Sequence, residues 1–193
     1  MKTLLNQIKK YALENNVPIM EDESSDIIIE EIKKNSLENI LELGTAIAYT
    51  TIKLANINQN IKITSIERDN KRYTIAKENV QKSNLSNITL IHEDIYKTNI
   101  KDKFDLIIID AAKAQNKGFF EKFKNNLSNK GIISIDNLSF HGLVGKSTEI
   151  KSKNLKALVR KIENFVNFLK ENTEFNVTFI EVGDKIAICK KKN

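Results

Sequence analysis

The sequence predicts an α/β fold in which a mostly parallel sheet carries helices on both faces. Short apolar runs alternate with segments whose apolar residues recur at helical spacing. One run, Phe104–Ile109, is almost unbroken, as is typical of a strand buried on both faces. Such alternation favours parallel strands joined by helical crossovers. Only Gly183-Asp184 separates the last two apolar runs, so we expect the sheet to end in an antiparallel hairpin.

The elements follow from these patterns in chain order. The predicted strands are Ile40–Leu43, Ile61–Ile66, Ile88–Ile91, Phe104–Ile109, Gly131–Ile135, Phe175–Val182 and Lys185–Lys190. The predicted helices are Lys2–Asn15, a helix N-capped by Ser24 or Ser25 and ending at Lys34, Ala48–Asn58, Asn70–Lys82, a helix marked by Phe119, Phe120, Phe123 and Leu127, and a helix with an apolar stripe from Leu155 to Leu169. Pro18 makes the segment between the first two helices extended.

The composition is that of one globular domain spanning residues 1–193, with the helices of residues 1–36 packed on its core. Apolar residues make up 40% and charged residues 29% of the chain. No apolar run approaches the roughly 20 residues that cross a bilayer, and the N-terminus lacks the apolar region of a signal peptide. Cys189 is the only cysteine, which excludes an internal disulfide and a cysteine-based zinc site. We therefore expect a cytoplasmic location and no membrane partner.

The stretch Asn39–Ala55 is the first candidate for a ligand site. It predicts a strand that turns at Gly44 into a helix, whose free N–H groups and positive dipole end can hold an anionic group. Two of the three glycines of the dinucleotide fingerprint are missing, which disfavours a pyrophosphate. The hydroxyls of Thr45 and Thr50 could instead bind a cofactor that carries a carboxylate. An ordinary strand–turn–helix corner explains the same stretch.

Acidic residues follow several predicted strands. Because ligands of open α/β sheets bind beyond the carboxyl ends of the strands, we expect Glu67, Asp110 and Asp136 to lie at one rim. Glu67 stands about 20 residues after Gly44, the offset of an acid that binds ribose hydroxyls. Asp94 can bind an adenine amino group, although it can equally be a simple turn former.

A second group of polar residues is suited to a metal ion. Asp110, Asp136 and Asn137 offer an all-oxygen set of the kind that Mg²⁺ prefers. The two carboxylates would repel each other without a cation or a shared proton. The alternative is that they are unrelated turn or helix-capping residues. His92 and His141 lack a partner at zinc-binding spacing. His141 follows the candidate metal site and could touch the substrate, although we expect a structural role for it.

Four segments together resemble one family. In this order and spacing, ELGTAIAYT, SIERD, IIIDAAKAQ and IDNLSFHGLV look like the metal-dependent S-adenosylmethionine O-methyltransferases of the catechol and caffeoyl-CoA type. VPIMEDE resembles the cofactor-side segment of the bacterial members, and the bacterial tRNA 5-hydroxyuridine methyltransferases are the most similar group. The resemblance runs from about Tyr11 to the C-terminus. It implies a Rossmann-like class I methyltransferase fold with a seven-stranded sheet and a C-terminal antiparallel hairpin.

The resemblance also implies roles for individual residues. The S-adenosylmethionine site would contain Met20, Glu42, Gly44, Thr45, Thr50, Glu67, Asp94, Ile95 and Asp110. The metal site, for Mg²⁺ or another divalent cation, would contain Asp110, Asp136 and Asn137. Asp110 and Lys113 would be catalytic, with Lys113 as proton acceptor or electrostatic aid; the alternative for Lys113 is a surface lysine. Ala48 replaces the family's usual glycine, and Asn116 stands where an aromatic residue is common.

The implied reaction is methylation of 5-hydroxyuridine at the tRNA wobble position, in which a metal ion would bind the hydroxyl and the neighbouring O4 and lower the pKa of the hydroxyl. The net charge of +6 suits RNA, although AT-rich coding also produces many lysines. Cationic residues follow the fifth strand: Lys146, Lys151, Lys153, Lys156, Arg160 and Lys161.

Other functions share parts of this pattern. A small-molecule O-methyltransferase acting on catechol-like or caffeoyl-CoA-like phenols would use the same catalytic residues. A non-catalytic RNA-binding module could use the same fold, although the three metal-binding residues argue against it. The missing glycines disfavour a nicotinamide oxidoreductase. Related enzymes are commonly dimers, so we expect a homodimer, with the N-terminal helix as a plausible interface.

Overall fold

A computed structural model describes residues 1–192 and has a single sheet at its centre. The strands are β1 (Asn39–Leu43), β2 (Lys62–Glu67), β3 (Ile88–His92), β4 (Phe104–Ile109), β5 (Leu127–Ile135), β6 (Phe175–Ile180) and β7 (Ile186–Lys191). Their order in the sheet is β3-β2-β1-β4-β5-β7-β6. The first five strands pair in parallel, and β7 pairs antiparallel with both β5 and β6. The predicted fold class, including the C-terminal hairpin, is confirmed.

Helices cover both faces of this sheet. They are α1 (Lys2–Glu14), α2 (Asp22–Asn35), α3 (Tyr49–Ala55), α4 (Asn70–Ser83), α5 (Asn116–Phe123) and α6 (Lys153–Lys170). Phe120 of α5 and Phe165 of α6 belong to one buried cluster, and Ile28 of α2 belongs to the cluster on the opposite face. Ile8 of α1 packs with α3 in a third cluster. Within residues 1–192, no helix combines the length and apolar character needed to cross a membrane.

The boundary between α5 and β5 differs from the prediction. Leu127 was expected to extend the helix marked by Phe119, Phe120 and Phe123, because it continues their helical spacing. In the structure Leu127 begins β5 and pairs with Phe104 of β4. Strand pairing therefore overrides the helical spacing, and β5 begins four residues before the predicted Gly131.

The start of α2 and the length of α3 also differ from the prediction. Neither Ser24 nor Ser25 caps α2, because its N-cap is Glu21, and both serines are buried inside the first turns. The helix predicted over Ala48–Asn58 is reduced to Tyr49–Ala55. Ala48 has a left-handed backbone with φ 67° and so lies outside the helix.

Candidate active site

A cavity of about 400 Å³ opens at the carboxyl ends of β1, β2 and β4. The chain passes from β1 to β2 on one side and later places β4 on the other side of β1, which makes this the topological switch point of the sheet. Seven residues predicted from the sequence line the cavity: Gly44, Glu67, Asp94, Ile95, Asp110, Lys113 and Asn137. Of the three acids expected at one rim, Glu67 and Asp110 therefore line this cavity, whereas Asp136 does not line it.

Gly44 allows the tips of β1 and β4 to come close together. Its φ is +106°, and a Cβ at this position would lie 2.2 Å from the carbonyl oxygen of Asp110. Its N–H donates to the carbonyl of Ile66 in β2 over 3.0 Å. Only glycine fits both the backbone angle and the space, so the turn that lines the cavity depends on this residue.

Glu67 is held in the cavity wall by backbone donors. Its Oε2 accepts the N–H of Ala46 at 2.9 Å, and its Oε1 accepts the N–H of Asp69 at 2.8 Å. Each carboxylate oxygen can accept a further hydrogen bond. A fixed carboxylate with free acceptor capacity is suited to adjacent hydroxyls such as those of ribose.

The far end of the cavity combines an acid with apolar walls. The N–H of Tyr96 donates to Asp94 over 2.8 Å, which is the main reason why the pKa of Asp94 is lowered. Ile95 and Phe119 supply apolar surface for a flat ring. Sequence reasoning assigned Phe119 only to the helical core, because its helical spacing hides its second role at the cavity.

Two arginines in the wall were not predicted. Arg68 directly follows the ribose-type acid Glu67 and lies 3.3 Å from a carboxylate oxygen of Asp94. Arg72 lies in the first turn of α4 and also lines the cavity. Their position just after β2 is the only signal in the sequence that could have identified them.

Four predicted cofactor residues, Met20, Glu42, Thr45 and Thr50, lie outside the cavity. Met20 is 3% exposed and packs in the core cluster that contains α2, whereas its neighbours Ile19 and Glu21 line the cavity. Successive side chains of an extended segment point in opposite directions, which explains the difference. The segment was therefore identified correctly from the sequence, but Met20 points away from the cavity.

Glu42 and the two threonines are buried behind the turn at Gly44. Glu42 accepts hydrogen bonds of 2.5 Å from the hydroxyls of Thr51 and Ser65. The hydroxyls of Thr45 and Ser65 lie 2.6 Å apart, and Thr50 is buried in the first turn of α3. Burial raises the pKa of Glu42 to about 7 despite the two donors. These residues support the turn without a direct path to the cavity.

The two acids at the tips of β4 and β5 are neighbours. Ile109 and Ile135 are register partners, and the N–H of Asp136 donates to the carbonyl of Ile109 over 3.2 Å. Asp136 is 2% exposed; its Oδ1 accepts the hydroxyl of Ser24 at 3.0 Å. Within residues 1–192 its buried Oδ2 has no hydrogen-bond partner.

The electrostatics of this pair fit a bound cation. Burial raises the pKa of Asp110, and burial together with the charge of Asp110 raises the pKa of Asp136 to about 7. The unpartnered oxygen of Asp136 and the amide of Asn137 would complete an oxygen donor set. Residues 1–192 contain no group of three or more His, Cys, Asp or Glu side chains arranged for a metal. The candidate metal site therefore consists of two carboxylates, Asp110 and Asp136, and the amide of Asn137.

Lys113 stands beside this pair. It begins a short 3₁₀ helix, lines the cavity, and its charge partly offsets the raised pKa of both Asp110 and Asp136. Asn116, where an aromatic residue was expected, is 2% exposed and lies outside the cavity, whereas Gln115 lines it. The departure at Asn116 thus affects the packing of α5 rather than the cavity wall.

Comparisons with known proteins are consistent with this geometry. A family model described as O-methyltransferase matches residues 1–192. The caffeoyl-CoA O-methyltransferase of Populus kitakamiensis is 23% identical over 193 residues, covering 95% of this chain and 82% of that protein. A Staphylococcus aureus structure provisionally assigned as a caffeoyl-CoA O-methyltransferase has a TM-score of 0.93 and 32% identity, covering 97% of this chain and 92% of that one. A Bacillus cereus O-methyltransferase in complex with SAH shares the fold, with a TM-score of 0.81 and 21% identity over 98% of this chain and 91% of that one.

Proposed function

Because the chain belongs to the O-methyltransferase family and is an S-adenosylmethionine-dependent O-methyltransferase of the caffeoyl-CoA type, we propose that it methylates 5-hydroxyuridine at the tRNA wobble position. The observation that carries the proposal is the pair of neighbouring carboxylates at the tips of β4 and β5. Asp110 lines the cavity that also contains Glu67, and Asp136 is buried on the adjacent strand tip. This arrangement supports an acceptor-activating site next to a site for the nucleoside part of the donor.

We propose that the donor lies along the cavity from Asp94 to Asp110. Glu67 would accept hydrogen bonds from the ribose hydroxyls, because backbone N–H groups already fix its orientation. Asp94 and Ile95 would contact the adenine edge, and the glycine turn at Gly44 would let the methionine part approach the backbone. The sulfonium methyl would then be next to the Asp110 end.

We propose that Asp110, Asp136 and Asn137 hold a divalent cation such as Mg²⁺. Bound there, such a cation would supply the Lewis-acid chemistry that lowers the pKa of the acceptor hydroxyl. The chain's own part is to orient these groups: Ser24 holds one oxygen of Asp136, and Asn137 extends from the same strand tip. Lys113, in the adjacent wall, would accept the hydroxyl proton or stabilise the oxyanion.

The tRNA part of the proposal is supported by unpaired positive charge beyond β5. None of Lys146, Lys151, Lys153, Lys156, Arg160 and Lys161 forms an ion pair with any residue of the 1–192 range. Glu163 of α6 accepts the N–H groups of Gly145 and Ser147, which joins the loop and the helix that carry these residues. Phosphates can bind this surface while an anticodon base, already partly unstacked, enters the cavity.

A small phenolic acceptor is the second candidate. The poplar relative is named for caffeoyl-CoA, and a catechol-type pair of oxygens would suit the same carboxylates. This candidate explains Asp110 and Asp136 equally well, but it does not require the cationic surface. The two acceptors must therefore be compared directly.

The deciding experiment offers both acceptors to the purified enzyme. With S-adenosylmethionine and Mg²⁺, we expect 5-methoxyuridine in tRNA that carries 5-hydroxyuridine, detected by mass spectrometry of the nucleosides. The matched tRNA with unmodified uridine should remain unchanged, and tRNA from a deletion strain should accumulate 5-hydroxyuridine. Methylation of catechol or caffeoyl-CoA with no product in tRNA would overturn the proposed substrate.

We also propose that the enzyme is a homodimer that uses α1. Leu13 on this helix is 74% exposed and lines an open groove of about 630 Å³ together with Val17 and Pro18. A second copy would remove this apolar surface from water. Light scattering should give twice the chain mass, and Leu13→Glu should shift the protein to monomer, whereas Lys10→Glu on the same helix should not. A monomeric wild type would overturn this part.

A further inference from the structure

The loop over residues 138–144 presents one side chain to the open end of the cavity. The N–H of Val144 donates to the carbonyl of Ser139 over 3.1 Å, and that of Leu143 to the carbonyl of Phe140 over 3.1 Å. Phe140 and Val144 pack against the core cluster beneath. His141 is therefore displayed at the tip of a tightly closed loop, and it lines the cavity.

The turn between β6 and β7 holds this loop in place. The carbonyl of Asp184 accepts the N–H of Ser139 at 2.9 Å, and the carbonyl of Lys185 accepts the N–H of Leu138 at 2.9 Å. The Oδ1 of Asp184 also accepts the backbone N–H of His141 at 2.6 Å. Two segments far apart in sequence thus form one unit at the edge of the cavity.

Asp184 has an oxygen that this unit does not use. The residue is 6% exposed, and its Oδ2 has no hydrogen-bond partner among residues 1–192. This oxygen lies 4.0 Å from Nδ1 of His141. A buried carboxylate oxygen without a partner is costly, and a small rotation of the imidazole would bring Nδ1–H within hydrogen-bond distance.

The turn is also confined on its other side. A Cβ on Gly183 would lie 2.8 Å from Oε2 of Glu21 and 2.8 Å from the hydroxyl of Ser24. Glu21 lines the cavity, and Ser24 donates to Asp136. Asp184 is therefore fixed relative to the acidic pair as well as to His141.

We propose that Asp184 is a positioning residue that holds His141 over the mouth of the cavity, and that His141 contacts the methyl acceptor. With Nδ1–H donated to Asp184, Nε2 is an acceptor directed away from the turn. Nε2 of His141 would accept a hydrogen bond from the methyl-accepting substrate. That substrate would carry an N–H or O–H group near the methylated oxygen, such as a ring N–H or an adjacent hydroxyl. The inference rests on the proposed function only in assigning the cavity mouth to the acceptor.

The first test uses the tautomer of His141. The chain has two histidines, so His92 is an internal control in long-range ¹H–¹⁵N spectra. We expect the Nδ1–H tautomer at His141 in the wild type. In Asp184→Asn, Oδ1 can still accept the backbone N–H of His141. The new side-chain NH₂ group, however, donates to Nδ1 of the imidazole and should convert the ring to the Nε2–H tautomer. An unchanged tautomer at His141 in this variant would overturn the inference.

The second test separates acceptor binding from donor binding. His141→Ala should raise KM for the acceptor about tenfold, the loss expected for one hydrogen bond. The Kd for S-adenosylhomocysteine, measured by calorimetry, should stay within about twofold of wild type. Asp184→Asn should raise the acceptor KM similarly, and the double variant should be no worse than either single variant.

The outcomes of the second test distinguish the two proposals. An unchanged acceptor KM in His141→Ala, or fully additive losses in the double variant, would overturn the role of the pair. Methylation of the phenol instead of the tRNA would overturn the proposed substrate, and the same variants would then be compared on the phenol. The tautomer measurement needs no turnover, so it decides the role of Asp184 whichever acceptor is correct.

Discussion

Single residues at the tips of β4 and β5 carry most of the chemistry proposed for this enzyme. Asp110 and Asp136 are separated in the chain by two short 3₁₀ helices, α5 and β5, yet strand register makes them neighbours. Burial gives each carboxylate a raised pKa, and Asp136 keeps an oxygen without a partner. Two such groups are stable as ions only with positive charge nearby, which Lys113 supplies in part and a divalent cation would complete.

Replacement of Asp136 by Asn tests the metal role. Asp136→Asn keeps the shape and an acceptor for Ser24 but removes the charge, so we expect kcat/KM to fall by about 100-fold or more. The Kd for S-adenosylhomocysteine should change little, because Asp136 lies outside the cavity wall. Asp102→Asn, at an exposed position before β4, is the matched control. Full wild-type activity in excess chelator would contradict the metal role.

Glu42 predicts a pH dependence of stability. Its folded pKa is raised from 4.5 to about 7 by burial, so the folded state holds a proton that the unfolded state releases between these values. The stabilisation associated with that proton is complete below 4.5 and is lost as the pH rises towards 7. A shift of this size corresponds to roughly 3 kcal/mol.

The measurement compares Glu42→Gln with the wild type in chelator. Because an amide does not ionise, the free energy of unfolding of Glu42→Gln relative to wild type should increase as pH rises from 4.5 to about 7 and then level off. Glu38→Gln, at the exposed position directly before the same strand, should follow the wild-type curve. Parallel curves for Glu42→Gln and wild type would show that Glu42 is not buried as a neutral acid.

At the scale of elements, the structure depends on where helices stop. Helix α2 ends at Asn35, and its C-cap Ser36 adopts a left-handed conformation with φ 51° and ψ 50°. The N–H of Leu37 donates to the carbonyl of Ile32 over 3.0 Å. The left-handed region suits glycine best, and Ser36 is exposed. The helix therefore ends at a residue without a preference for this conformation, directly before Leu37, which is buried in the core cluster that contains α2.

Ser36→Gly should stabilise the protein. Relief of the left-handed strain exceeds the added flexibility of the unfolded chain, so we expect a gain of about 0.5–1 kcal/mol in the free energy of unfolding. Urea denaturation measures this quantity. Ser36→Ala keeps the Cβ and should show no gain. Destabilisation by Ser36→Gly would contradict this expectation. It would mean that contacts of the Ser36 side chain stabilise the folded state by more than the left-handed backbone destabilises it.

At the scale of the whole molecule, exposed lysines lie in two segments that differ in their position relative to the cavity. The net charge is +6, and the exposed cations Lys151 and Lys153 lie in the segment that follows the loop carrying His141. Lys33 and Lys34 lie at the end of α2, near the amino end of β1 and so at the opposite side of the sheet from the cavity. Lys151 with Lys153 and Lys33 with Lys34 therefore form two surfaces of equal charge, of which only the first lies on the side of the cavity.

This pair of surfaces provides the test of RNA binding. Lys151→Glu with Lys153→Glu should weaken tRNA binding and make its dependence on salt less steep, because fewer phosphate counterions are released. Lys33→Glu with Lys34→Glu makes the same charge change and should have a much smaller effect. Binding measured by fluorescence anisotropy at several salt concentrations distinguishes them. Equal losses in both variants would indicate a nonspecific effect of net charge.

The amino-acid sequence by itself determined the strand and helix order, the hairpin and the line of acids at strand ends. These features depend on local periodicity and on residues that directly follow apolar runs, which are visible without tertiary structure. Glu67, Asp94 and Asp110 were placed at the cavity for this reason. The prediction for Leu127 was wrong. This residue continues the helical spacing of Phe119, Phe120 and Phe123, but in the structure it pairs with Phe104 of β4 and so belongs to β5.

Only the tertiary structure decided which way side chains face and which distant segments touch. Met20 and Glu42 point into the core, whereas Ile19, one residue before Met20, and Gly44, two residues after Glu42, reach the cavity. The contacts of Ser24 with Asp136 and of Asp184 with His141 join segments that no local pattern relates. Contacts between distant segments arise from packing of whole elements, so their partners cannot be identified from the residues nearby in the chain.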